Sequence, residues 1–170
     1  MSKKASIGRF VAGAVLFGYL GLAVMQSANA TSTIAQHGYW SSVVDTTDDG
    51  HRVCGVRTRM GGGGELRLAI VNDDVHLVAR DDRWHMRVGD TSRVSISVDG
   101  RIFSGNAKAI DGQTLIVASL ADDFVSRFIE GDEMLADFGG VRWDVSLEGS
   151  SRVTGEMAAC AAFARSGLMS

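Results

Sequence analysis

The stretch VRWDVSL, residues 141–147, alternates strictly: Val141, Trp143, Val145 and Leu147 are apolar, and Arg142, Asp144 and Ser146 are polar. Side chains of a strand point to opposite faces with period two, so the run predicts a half-buried strand. The same pattern recurs in SRVSISV, with Val94, Ile96 and Val98 inward, and in ELRLAIV, with Leu66, Leu68 and Ile70 inward. RWHMRV puts Trp84, Met86 and Val88 on one face and His85 and Arg87 on the other. TLIVASL is more continuously apolar, as expected of a strand covered on both faces.

Turn chemistry separates these runs. Gly61–Gly64 joins VCGVRTRM to ELRLAIV, Asn72-Asp73-Asp74 precedes VHLVA, and Asp81-Asp82 precedes RWHMRV. Asp99-Gly100 and Asp111-Gly112 each lie between two strand-like runs, a strong hairpin signal because a tight turn needs positive φ at both central positions. Two segments break the period. ADDFVSRFIEG predicts a helix from near Asp122 with Phe124, Val125, Phe128 and Ile129 on one stripe, stopped at Gly131. A second helix is expected from about Ser151 to Arg165, capped by Ser150, with Val153, Met157, Cys160, Ala161 and Ala164 in phase. The fold class expected is mainly β: an antiparallel β-sandwich or barrel with two short α-helices.

The first thirty residues read as a leader. Lys3, Lys4 and Arg9 give a positive start, Val11 to Met25 is uncharged and apolar, and Ala28-Asn29-Ala30 has small residues at its first and third positions. That is the pattern of a secretory signal peptide cleaved after Ala30. The apolar run, fifteen residues, is short for a membrane-spanning helix, which needs about 20. Residues 31–170 then form a single β-rich domain with no stable membrane span, in the periplasm or secreted. All 20 acids fall after Ala30, whereas three of the 17 lysines and arginines precede it, so the mature domain is acidic. That balance argues against nucleic acid or an anionic membrane as the main partner. The chain contains no proline, so its turns rely on Gly, Asn and Asp.

Cys54 and Cys160 are the only cysteines. In an oxidising compartment an even count reads as a disulfide, and a single pairing exists. Cys54 is in phase with Val56 and Met60, and Cys160 with the apolar stripe of the last helix, so both point inward. The bond would tether that helix to the sheet.

No catalytic or metal motif emerges. Asp48-Asp49, Asp73-Asp74 and Asp81-Asp82 sit at predicted turns and Asp122-Asp123 opens a helix, where solvated turn and cap residues are expected. His37, His51, His76 and His85 lack any zinc spacing. The glycine run is followed by Glu65 and a strand, so it is no phosphate cradle, and Ser104 in IFSGN has no nucleophile-elbow context. No cofactor is expected. Trp40, Trp84 and Trp143 lie on strand-like segments and read chiefly as core; an exposed cluster would mark a binding face, with Trp40, Trp84 and His85 as its candidate residues.

GYW near residue 38, the strand cysteine in RVCGV, and WDVSLEGSSRVTGEMAACAAF near the end together resemble the invasion-associated locus B (IalB) family of small exported alphaproteobacterial proteins. The resemblance implies a signal peptide, a β-rich body and a late helix after a similar strand end, and no catalytic residues. The resulting expectation is an exported non-enzymatic binding domain whose partner is a protein or envelope component. The alternative is a small periplasmic hydrolase or ligand carrier whose site is assembled only in the fold.

Overall fold

A computed structural model describes residues 31–47, 50–71, 74–117, 120–121 and 123–166. The leader reading, and Asp48, Asp49, Asn72, Asp73 and Asp122, lie outside the described residues. Ten strands and two helices follow in the order β1 (Ser32–His37), β2 (Trp40–Thr46), β3 (Arg52–Met60), β4 (Gly64–Val71), β5 (Asp74–Asp81), β6 (Thr91–Val98), β7 (Arg101–Ala109), β8 (Thr114–Val117), α1 (Phe124–Glu130), β9 (Glu133–Phe138), β10 (Val141–Ser146) and α2 (Ser150–Arg165).

The strands form one antiparallel sheet in the order β1-β2-β3-β4-β5-β8-β7-β6-β9-β10. It coils until its two ends meet. Trp40 Nε1 at the start of β2 donates to the Ser146 carbonyl at the end of β10 (2.8 Å), and Tyr39 N donates to the Glu148 carbonyl (3.3 Å). Two glycines make the meeting possible. Gly38 (φ +56) and Gly149 (φ +90) both adopt the left-handed conformation, and a Cβ on either would press on a carbonyl oxygen of the other segment, Glu148 or His37.

The interior follows the alternation. Val94, Ile96 and Val98 of β6 and Trp143, Val145 and Leu147 are buried, as are Leu66 and Leu68; Ile70 is half-buried. Phe124 and Phe128 of α1 meet Phe103 and Trp40 edge-on, with ring centroids 5.2 and 4.9 Å apart. Such pairs add about 0.5–1.5 kcal/mol each beyond the area they bury. α2 crosses the inner face of β2 and β3 with Val153, Met157 and Ala161 buried. Cys160 on α2 is bonded to Cys54 on β3, with Cα atoms 5.9 Å apart.

Four readings are corrected. Residues 84–88 form a loop rather than a strand: Met86 N and Gly89 N donate to the Gly112 and Ala109 carbonyls, and Val88 is 74 % exposed. Asp111-Gly112 is not a two-residue turn. The link is Ile110–Gln113, in which Asp111 Oδ1 accepts from Gln113 N and φ at Gly112 is not positive. Asp99-Gly100 is the tight turn expected, with φ +45 and +82. Ser150 does not cap α2; Gly149 occupies that position, and the buried Ser150 hydroxyl donates to the Phe128 carbonyl, joining the helices. Asp81 is not a solvated turn residue. It is fully buried at the end of β5 and accepts from Arg83 N, Nε and Nη2 at 2.9, 2.9 and 2.6 Å. The Arg83 guanidinium holds its carboxyl below the usual carboxylate range, against the opposing effect of burial.

Candidate functional site

The proposed aromatic face divides. Trp40 has no exposed surface: it is wedged against Phe128 and spends its N–H on Ser146, so it belongs to the core and to no surface patch. Trp143 is 6 % exposed and likewise core. Trp84, half-buried, drops from the 82–90 loop onto Trp143, with ring centroids 5.6 Å apart and planes 13° apart, and onto Phe138 at 6.0 Å. The stack fills the end of the coiled sheet beside Gly64, where a Cβ would lie 3.4 Å from Trp143. His85 points outward from the same loop and is exposed. Trp84 and His85 thus share a loop, whereas Trp40 lies with the helices.

Ser, His and a carboxylate converge between α2 and the first two strands. Ser42 Oγ donates to Glu156 Oε2 (2.5 Å), and His37 Nε2 lies 3.0 Å from Glu156 Oε1. The local fold explains it. Ser42 is in phase with inward-facing Trp40, and Glu156 falls on the α2 stripe between Val153 and Cys160. Ser42, then His37 and Arg152, hold the Glu156 carboxyl below its ordinary range, against desolvation. The order of groups is wrong for nucleophilic catalysis. The carboxylate, not the imidazole, receives the serine proton, and Ser42 is fully buried. The trio fastens α2 to β1 and β2.

On the outer face, Arg67 of β4 reaches across β3 to Asp45 of β2. The path exists because Gly55 stands beneath it: a Cβ there would lie 2.7 Å from both Arg67 Nε and the Leu68 carbonyl. Asp45 Oδ1, Arg67 Nε and Nη2, and His76 Nδ1 are buried without a hydrogen-bond partner.

A groove of about 700 Å³ opens where β6, β9 and β10 end, with Asp132, Glu133, Asp144 and Glu148 on its walls. Among the described residues, no lysine or arginine lines it. Asp99 also borders it, but its carboxylate is engaged by Asp132 N and Glu133 N at 3.1 and 3.0 Å. Such a groove repels anions and attracts cations. A second groove, about 510 Å³, runs beside Cys54 and Ala161.

The sequence reading missed the Glu156 fastening and the acidic groove. An acid at an apolar stripe position signalled the first. Nothing local signalled the second, since its carboxylates come from three separate segments. Among the described residues no group of three or more His, Cys, Asp or Glu is placed to hold a metal ion, and no helix is long and apolar enough to cross a membrane. No family model, curated protein or solved structure matches the chain.

Proposed function

We propose that the chain is an exported, non-enzymatic binding domain of the cell envelope, periplasmic or secreted, that engages a protein or envelope component. The Cys54–Cys160 cystine carries the reading, because such bonds persist in oxidising compartments and are rare in the cytosol. The N-terminal thirty residues support it through their leader-like order of charge, apolar run and small residues. The binding role is favoured over hydrolysis because the Ser42–Glu156–His37 set is spent on holding α2. A relationship to the IalB-like exported proteins accords with the strand-end-to-helix segment at residues 143–163.

Mass spectrometry of the protein recovered from the envelope and medium tests export. The reading requires a first residue of Thr31 and a mass two hydrogens below the dithiol form. An intact Met1, or free thiols in freshly recovered protein, refutes it. Affinity capture with the oxidised protein then tests binding, and repeated failure to retain any envelope component removes the binding role.

A further inference from the structure

Asp99-Gly100 and Asp111-Gly112 stand in turns, and each pair follows a β-branched residue, Val98 or Ile110. A third pair, Asp49-Gly50, includes a residue outside the described ones. Aspartate before glycine is prone to rearrange, because glycine has no side chain to keep its amide nitrogen from the neighbouring carboxyl. The nitrogen attacks Cγ of the protonated carboxyl, and the amide proton leaves with the hydroxyl as water, closing a five-membered succinimide. Water then reopens the ring. Entry at Cγ restores aspartate. Entry at the former backbone carbonyl carbon gives isoaspartate, in which the main chain runs through Cβ and Cγ and the mass is unchanged. Asp99 and Asp111 are both exposed, so neither exposure nor the preceding residue separates them.

The way each carboxyl is held does separate them. Asp99, with φ +45, sits in the tight turn of the β6–β7 hairpin, whose ladder runs from Val98↔Arg101 to Thr91↔Lys108. Its carboxylate reaches away from its own chain to β9. Oδ1 accepts from Glu133 N at 3.0 Å, Oδ2 accepts from Asp132 N at 3.1 Å, and Asp99 N donates to the Glu133 carbonyl at 3.1 Å. Ring closure at Asp99 must break both carboxylate bonds and unwind the turn. Asp111 instead folds its carboxyl forward along its own chain: Oδ1 accepts from Gln113 N at 2.7 Å, spanning Gly112 in an Asx turn. That bond keeps Cγ over the Gly112 side of the residue, where the five-membered ring forms, so less motion separates the reacting atoms. The link also has room to rearrange, since a Cβ on Gly112 would meet the Met86 carbonyl at an ordinary 3.7 Å.

We propose that Asp111-Gly112 is a site of spontaneous succinimide and isoaspartate formation in the folded protein, and that Asp99-Gly100 is protected from it. The modification reaches beyond its own turn. Gly112 O accepts from Met86 N at 2.9 Å, Gln113 O accepts from Asp81 N at 3.0 Å, and Gln113 Nε2 donates to the Asp82 carbonyl at 3.1 Å. These bonds hold the 82–90 loop, which carries Trp84 and His85. Isoaspartate adds one carbon to the main chain just before Gly112 and draws the Gly112 carbonyl away from Met86. Conversion therefore frees the middle of that loop and leaves the cystine and the core in place. The inference does not depend on what the domain binds.

The test holds the oxidised protein for weeks in mildly acidic oxygen-18 water, so that every ring opening leaves one heavy oxygen behind. Digestion with trypsin in ordinary water then separates residues 94–101 from residues 109–127, and mass spectrometry with electron-transfer fragmentation reads label and isoaspartate in each. In the folded protein the label at Asp111 must exceed that at Asp99 at least tenfold. In the reduced chain unfolded by urea the two must come within about threefold, because the difference then has no structure to sustain it. The isoaspartate form, isolated by chromatography, must show at least tenfold faster hydrogen exchange at the Met86 amide, with the β6 amides unchanged. Equal labelling in the folded protein, no label at Asp111, or the same tenfold bias in the unfolded chain overturns the proposal. Unaltered exchange at Met86 in the isoaspartate form overturns the predicted release of the loop.

Discussion

Removing the cystine by Cys54→Ala with Cys160→Ala probes the tie between the last helix and the sheet. The bond spans a sequence separation of 106 residues. For a closed loop of that size, chain entropy lost from the unfolded state corresponds to about 4.7 kcal/mol. An ordered domain of roughly 130 residues unfolds with an entropy near 0.27 kcal/mol per kelvin, at about 2.1 cal/mol/K per residue. The expected fall in Tm is therefore about 17 °C. The variant should still fold at room temperature, because α2 keeps Val153 and Met157 buried and Glu156 bonded to Ser42 and His37. Calorimetry on the oxidised wild type, the dithiothreitol-reduced wild type and the double variant supplies the comparison. The last two should agree within a few degrees. A drop below about 4 °C in both would show that the bond constrains the unfolded chain far less than its span requires. Loss of all cooperative unfolding would show instead that the remaining contacts of α2 do not suffice to hold the fold.

Gly149→Ala should cost about 2 kcal/mol or more, because it combines a left-handed backbone with a Cβ directed at the His37 carbonyl, and should lower Tm by several degrees in a thermal melt. Gly55→Ala should cost about 1–3 kcal/mol in urea unfolding, since the Leu68 carbonyl cannot yield and Arg67 must leave Asp45; an unchanged midpoint would contradict the crossing path. Ser42→Ala should cost about 1.5 kcal/mol at pH 7, at the low end for a charged hydrogen bond because Glu156 is part-exposed. Ser42 lowers the native pKa of Glu156, so its contribution is complete above the ordinary value of 4.5 and lost as pH falls through the lower native value. The gap between wild type and variant in urea melts should narrow from pH 7 to pH 3, and a constant gap would refute the assignment.

Periodicity revealed faces and not neighbours. Val94, Ile96 and Val98 could be assigned inward from spacing alone, as could both cysteines, because burial imposes the period on the sequence. The placement of β8 between β5 and β7 left no local trace, since each strand satisfies its own alternation whatever lies beside it. RWHMRV shows how alternation misleads. Trp84 and Met86 turn inward and His85 and Arg87 outward as in a strand, but an extended loop crossing the end of the sheet shows the same period, and its backbone bonds go to Gly112 and Ala109. Asp81 was misread because its partner, Arg83, is two residues on and exposed, so the pair resembles ordinary turn polarity. The Glu156 fastening was half visible, since an acid interrupts the helical stripe, but its acceptor role depends on contacts across 114 and 119 residues.

The back-to-back glycines at 38 and 149 set the order of assembly. As the chain emerges, whether from a ribosome or through a membrane, the opening hairpin must wait for nearly the whole remaining length before its neighbour arrives. Pairings so distant slow folding, since the loop must close before any contact repays it. A nascent chain cut short before Ser146 would leave the Trp40 indole without its acceptor, and a stalled or truncated product would therefore be a ready substrate for proteases and holding chaperones.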